Sequence, residues 1–398
     1  MQRGFLRIQS VFQVETKGKE EYTGCICEGI GQIGCFYMES KESEMQGMET
    51  QVRKVDGEGP KAAYDEAAKI LHMGGLVAFP TETVYGLGGN ALDEHAAKRI
   101  YAAKGRPSDN PLIVHIADMQ ALEELTKEVP DVARRLAEAF WPGPLTMILP
   151  KSEKVPLGTT GGLSTVAVRM PDHPVALSLI RQSGLYLAAP SANTSGRPSP
   201  TLAEHVYEDL RDKIDLILDG GMVKVGIEST IVDLTEEIPM ILRPGCITKE
   251  MLETVVGKVR TDPAILCEAG VSVDKPKAPG MKYKHYAPKA DMTIYSGAKE
   301  KVVARIVQEA QRAFSEGMKV GIVATDETIS CYQVGEVRSI GSRGEAGSIA
   351  RGLYKILRDF DHLQVDIILA ESFEDDPMGA AIMNRMKKAA GYAVVRVE

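Results

Sequence analysis

From Pro60 onward, short runs of large aliphatic residues alternate with stretches whose apolar positions fall three and four apart. The first pattern suits a strand buried on both faces, the second an amphipathic helix. Pro60 fits the first turn of a helix reaching about His72, and Gly74-Gly75 stops it. Leu76–Phe79 then reads as a buried strand closed by Pro80. Asp93 can cap a helix with Ala96, Ile100 and Ala103 on one face, ending at Gly105. Leu112–Ile116, Leu145–Leu149, Thr165–Arg169, Leu185–Ala188, Ile214–Leu218 and Thr230–Val232 continue the series as strands. Such alternation predicts an α/β domain over about 51–260. A second, shorter series over 290–398 predicts a small doubly wound domain. Its strands are Met292–Tyr295, Lys319–Ala324, Val365–Ala370 and Ala393–Val397, with helices over about Lys299–Glu316, Ile349–Phe360 and Ala380–Ala390.

Two segments fall outside these series. Residues 1–50 hold eight acids and half of the cysteines, with no helical period. They read as an N-terminal extension, a short β element with a disordered connector, dispensable up to Met48. Gly29-Ile30-Gly31-Gln32-Ile33-Gly34 matches G-x-G-x-x-G, but the residues after it start no helix, so dinucleotide binding lacks its mechanism. Cys25, Cys27 and Cys35 lack a fourth zinc ligand and read as unpaired thiols. The connector 261–289 is rich in proline, and its second half carries Lys275, Lys277, Lys282, Lys284, His285 and Lys289 with no acid between Asp274 and Asp291.

Charge narrows the function. The chain has 47 Lys plus Arg against 55 Asp plus Glu, a net charge of -8, so a general nucleic-acid binder is disfavoured. Any anion site must be a local concentration of cations. No apolar run approaches the ~18 residues of a membrane span, and no secretory signal is visible. The expectation is a soluble, cytoplasmic protein.

Four polar clusters sit at strand ends, where open α/β sheets bind ligands. Pro80-Thr81-Glu82-Thr83-Val84-Tyr85-Gly86-Leu87-Gly88 follows a strand, though a Gly-rich turn explains it about as well. In Lys104-Gly105-Arg106-Pro107-Ser108-Asp109-Asn110-Pro111, Lys104 complements a helix C-terminus, whereas Arg106 lies beyond the glycine break and has no such explanation. A loop stiffened by two prolines and aiming Lys and Arg together suits a polyphosphate. Ala189–Ser199 offers hydroxyls, an amide and backbone donors, or is simply a turn-rich loop. Arg169 and Arg243 end apolar strands, and Gly226–Thr230 begins another. Arginines so placed need anions, either internal glutamates or a ligand's carboxylate and phosphate. His115 alone is more often a satisfied core histidine. With no metal cage and no nucleophile–base pair, the chemistry is positioning and charge neutralisation, as in nucleotidyl transfer.

Pro80–Gly88, Lys104-x-Arg106, Asn110–His115 and Ser191-x-Asn193 resemble the signature of the YrdC-like domain. The connector Pro279–Pro288, followed by a small α/β domain, resembles the two-domain threonylcarbamoyl-AMP synthases, over about residues 55–398. The resemblance implies an open twisted mixed sheet with a large concave cationic cavity, plus a smaller Rossmann-like C-terminal domain. It implies a nucleotidyltransferase joining L-threonine, bicarbonate (or carbon dioxide) and ATP into threonylcarbamoyl-adenylate and pyrophosphate, with Mg2+ brought by the ATP. The product would pass to the transferase machinery that makes threonylcarbamoyladenosine at position 37 of tRNA. By position, Thr83, His115, Arg169, Ala189 and Ser229 match threonine contacts. Arg106, Asn110, Thr165, Ser191, Ser199 and Arg243 match ATP contacts. Lys104 and Arg106 take the catalytic, charge-neutralising role, and Asn193 organises the site. Tyr283, His285 and Tyr286 would close over the cavity as a lid. An RNA-binding module of the same fold is the main alternative, and a carbamoyl-transfer domain of hydrogenase maturation proteins is a second.

Overall fold

The computed structural model describes residues 12–13, 23–24, 49–57, 59–266, 285–345, 347–374 and 378–398. The G-x-G-x-x-G match, the three N-terminal thiols, Tyr283 and all the connector's lysines except Lys289 lie outside them. In the N-terminal unit, Phe12–Gln13 pairs antiparallel with Thr23–Gly24.

The larger sheet is open and mixed, with 11 strands. In spatial order they are Arg260–Thr261, Met240–Arg243, Thr230–Asp233, Leu145–Pro150, Thr165–Arg169, Ile113–His115, Leu187–Ala188, Tyr85–Asn90, Val77–Pro80, Leu216–Asp219 and Gln51–Lys54. Val77–Pro80 is buried throughout, as its unbroken apolar run requires. The helix Glu94–Lys104 begins where Asp93 accepts a hydrogen bond from the His95 amide and ends at left-handed Gly105.

Tyr85–Asn90 is a correction to the sequence reading. The stretch is not a Gly-rich turn but the second strand of a hairpin, antiparallel to Val77–Pro80. Its glycines argue against a strand by propensity. Close packing reverses that preference: a β-carbon at Gly88 would lie 2.7 Å from the Phe79 ring.

The smaller sheet has five strands, all parallel, in the order Glu336–Ser339, Val320–Ala324, Ile367–Glu371, Asp291–Gly297, Val394–Val397. The helix Lys299–Ser315 covers one face, and Ser348–Leu363 with Gly379–Ala389 covers the other. The core of that second face does not stop at the small sheet. Val84 and Ile227 from the large sheet's loops are buried in it beside Tyr286. Gly226 makes this approach possible: its φ is +88°, and a β-carbon there would lie 2.4 Å from the Arg351 Cα.

Candidate active site

One cavity opens at the large sheet's strand ends, with His285 and Tyr286 of the connector in its lining. The turn of the Val77–Asn90 hairpin forms one wall. Thr81 Oγ1 accepts from the amides of Thr83 and Val84, both at 3.2 Å, and donates to the Val84 carbonyl at 2.7 Å. That local ring points Thr83 at Arg169, whose Nη1 donates to the Thr83 hydroxyl at 2.9 Å. His115 and Arg169 stand side by side as paired residues of neighbouring parallel strands. Burial, and then Arg169, hold the His115 imidazole down at about 3, so the ring is neutral at physiological pH. Ala189 completes this corner, its amide donating to the Ile113 carbonyl at 2.9 Å. Arg169 also has the internal glutamate that the sequence offered as an alternative. Its Nη2 lies 2.7 Å from Glu82 Oε2, close enough to pair but not aligned for a hydrogen bond.

Cations line the other half. Lys104 is buried and turns from its helix end into the 191–193 loop, donating to the carbonyls of Ser191 and Asn193. Burial, and then Arg106, push its pKa well down. Arg106 Nη2 donates to Asn110 Oδ1 at 2.6 Å and to the Pro111 carbonyl at 3.1 Å. Asn193 Nδ2 donates to the carbonyls of Thr194 at 2.8 Å and Arg197 at 3.0 Å, and its Oδ1 accepts from Ser191 Oγ at 2.6 Å. Arg243 clasps Ser229, Nε to its carbonyl at 3.0 Å and Nη2 to its hydroxyl at 3.1 Å.

His285 and Tyr286, at the connector's end, are buried in the same wall. The Tyr286 ring stacks at 5.2 Å on Tyr354 of the small domain, and the Ala287 amide bonds to the Gly196 carbonyl at 2.9 Å. Burial, and then Arg106, hold His285 down at about 3.

Of the residues singled out in the sequence, Thr83, Lys104, Arg106, His115, Arg169, Ala189, Ser191, Asn193, Ser199, Ser229, Arg243, His285 and Tyr286 line this cavity. Asn110 stands behind Arg106 as its partner, and half-buried Thr165 begins its strand away from the cavity wall. Sequence reasoning gave Glu228 no role, although it was the one acid in the quoted stretch Gly226–Thr230. It lines the cavity and accepts from Ser199 Oγ at 2.6 Å. Among the described residues no group of three or more His, Cys, Asp or Glu could hold a metal ion.

An open mixed α/β sheet whose strand ends gather Arg169, Lys104, Arg106 and Arg243 around one cavity is the arrangement of a YrdC-like nucleotidyltransferase. The Sua5/YciO/YrdC sequence profile, described as telomere recombination, matches residues 69–245, and the profile of the threonylcarbamoyl-AMP synthase C-terminal domain matches 247–391. Threonylcarbamoyl-AMP synthases of Pyrococcus abyssi and Bacillus subtilis are 53% and 52% identical to this chain, each over 83% of it and 95% and 94% of their own lengths. The crystal structure of P. abyssi Sua5 complexed with L-threonine superposes with a TM-score of 0.83 at 50% identity, covering 88% of this chain and 100% of that one. The chain belongs to the Sua5 family of threonylcarbamoyl-AMP synthases.

Proposed function

We propose that this cavity joins L-threonine, carbon dioxide from bicarbonate, and ATP into threonylcarbamoyl-AMP, releasing pyrophosphate. The observation that carries the reading is that Arg169 with Thr83 and Arg106 with Arg243 line one cavity rather than separate surfaces. Arg169 and the Thr83 hydroxyl hold the amino acid's carboxylate and side chain. Neutral His115 presents a ring nitrogen to threonine without adding a proton for the substrate amine to compete with. That amine, uncharged, bonds to the carbon of carbon dioxide as one C–O π bond opens, and the nitrogen's proton passes to water, leaving a carbamate. A carbamate oxygen then bonds to the α-phosphorus, and the bond to pyrophosphate breaks. Lys104, Arg106 and Arg243 lie where charge grows on the phosphates. Lys104 also fixes the 191–193 loop through two carbonyls, so it acts on geometry as well as charge. His285 and Tyr286 act as a lid whose seat excludes water from the carbamate.

The magnesium that accompanies ATP is carried by the triphosphate. The cavity's own carboxylate, Glu228, is taken up by Ser199, Tyr354 and Arg385. The product goes on to the machinery that modifies tRNA at position 37, and ATP and tRNA supply together favour a cytoplasmic site of action. Residues 1–47 are dispensable for this activity. The working fold begins after them, where Thr50 Oγ1 donates to the Ile214 carbonyl at 2.6 Å beside the sheet's edge strand. As for the RNA-binding alternative, Lys104, Arg169 and Arg243 are buried and turned inward, out of reach of a polynucleotide backbone.

The test is incubation with ATP, labelled bicarbonate and each amino acid in turn. A labelled adenylate and pyrophosphate that form only with threonine are expected. Pyrophosphate release indifferent to threonine overturns the reading.

A further inference from the structure

Glu228 is 6% exposed and sits between the two sheets. Burial pushes its carboxyl up, but Arg385 first, then Arg243 and the Ser199 hydroxyl, outweigh it and hold the group at about 2. Its oxygens are fully engaged. Oε1 accepts from Ser199 Oγ at 2.6 Å, Oε2 accepts from Arg385 Nε at 3.1 Å, and the Tyr354 hydroxyl lies 3.0 and 2.9 Å from the two. Arg385 also donates through Nη2 to the Glu228 carbonyl at 3.2 Å and through Nη1 to the carbonyl of Pro244, the residue after Arg243. Tyr354 and Arg385 belong to helices of the small domain, and both are wholly buried.

A third contact repeats the arrangement on the neighbouring loop. Arg358 of the same helix as Tyr354 donates to the Pro198 carbonyl at 2.6 Å and to Asp209 Oδ2 at 2.9 Å. Asp209 Oδ2 in turn accepts from the Thr194 amide at 3.0 Å. The small domain therefore grips both loops that carry Ser199 and Ser229.

We propose that Arg385 and Tyr354 are positioning residues of the nucleotide subsite, fixing Ser199 through the Glu228 carboxylate and Arg243 through the Pro244 carbonyl beside it. The inference rests on reading Ser199 and Arg243 as ATP contacts. Neither small-domain residue lines the cavity, so Tyr354 acts through Glu228 and Arg385 through Glu228 and the Pro244 carbonyl. A buried ion pair adds little net stability over well-packed apolar side chains of the same volume. What the carboxylate supplies, and an apolar residue would not, is a fixed acceptor for the Ser199 hydroxyl and a counter-charge for Arg243. The threonine corner, Thr83 with His115 and Arg169, receives no bond from either residue. Ser229, matched to threonine, is reached through Arg243 and through its neighbour Glu228, so the clamp should act mainly on ATP and more weakly on threonine.

The experiment measures KM for ATP and for threonine separately, in the full chain, for Tyr354→Phe, Arg385→Met and Arg385→Lys. Tyr354→Phe is expected to raise the ATP KM about 3-fold and Arg385→Met about 10-fold or more, with the threonine KM within about 2-fold of wild type. Arg385→Lys should recover part of the loss by restoring charge without the fork. Equal rises in both KM values, or a fall in kcat that only tracks loss of folded protein, overturns the proposal. Should Arg385→Met not fold, Tyr354→Phe, which removes a single oxygen, decides alone. Titration with a non-hydrolysable ATP analogue separates this inference from the functional reading. If wild type makes no threonine-dependent pyrophosphate, weaker analogue binding by the variants still supports the clamp, and unchanged binding still overturns it.

Discussion

The guanidinium of Arg169 and the hydroxyl of Thr83 meet at 2.9 Å inside the protein, although 86 positions separate them in the chain. One guanidinium nitrogen is committed to this bond and another lies against Glu82, so the arginine's position is set before a substrate arrives. Arg169→Ala removes the charge facing a bound carboxylate and frees Thr83 to turn. It should raise the threonine KM about 100-fold while leaving the ATP KM within about 3-fold, by initial rates of pyrophosphate release. Equal effects on both substrates would contradict the assignment.

Lys104→Ala should lower turnover about 100-fold at saturating threonine and ATP, the scale of losing one preorganised charge stabiliser. It also strips the donor from the Ser191 and Asn193 carbonyls, each costing about 1–3 kcal/mol if left unsatisfied. Thermal melting alongside single-turnover rates separates the two effects. A variant that melts early yet turns over normally would remove Lys104 from the chemistry.

His115 should stay neutral throughout the working range, because burial and Arg169 keep it near 3. Two-dimensional NMR of the ring nitrogens between pH 5 and 8 should show one unchanging tautomer. The unfolded ring takes a proton near its ordinary value of about 6.5 and the folded ring does not, so this residue lowers stability as pH drops below that value. A ring titrating near 6.5 in the folded protein would refute the neutral role.

Glu228 shifts stability in the same direction, at lower pH. Its folded carboxyl is held at about 2 against an ordinary 4.5, so its stabilisation is complete above 4.5 and is lost as pH falls through 2. The shift corresponds to about 3 kcal/mol. Glu228→Gln should start less stable at neutral pH and show a correspondingly shallower loss across that interval in urea titrations. Parallel curves for both proteins would show that Arg385 does not hold the carboxylate charged.

Much of the site was legible because strand ends announce themselves. Arg169 closes Thr-Val-Ala-Val and Arg243 closes Met-Ile-Leu, and a charge there has to be explained by an anion. The hairpin strand Tyr85–Asn90 was hidden, since its three glycines read as a turn until the Phe79 ring is seen against Gly88, and Leu76, Ala96 and Ile100 against Gly89. Glu228 and Arg385 were hidden for a different reason. Arg385 lies in a helix whose sequence, Ala-Ala-Ile-Met-Asn-Arg-Met-Lys-Lys, shows an arginine among neighbouring lysines and gives no sign that it alone is wholly buried. Only a contact 157 positions away reveals what it faces. Asn110 and Thr165 carry the converse lesson, being nominated by motif position alone and standing behind or beside the cavity rather than in its wall.

Gly226 sets a limit on how freely such proteins can be recombined. The atoms that a methyl group there would strike are the Arg351 Cα and the Ala350 carbonyl oxygen, at 2.4 and 2.5 Å, and main chain cannot swing aside as a flexible side chain can. The clearance between the two halves is thus smaller than a single carbon atom. A C-terminal half grafted from a relative will seat only if its own helix presents the same bare ridge of backbone to that glycine.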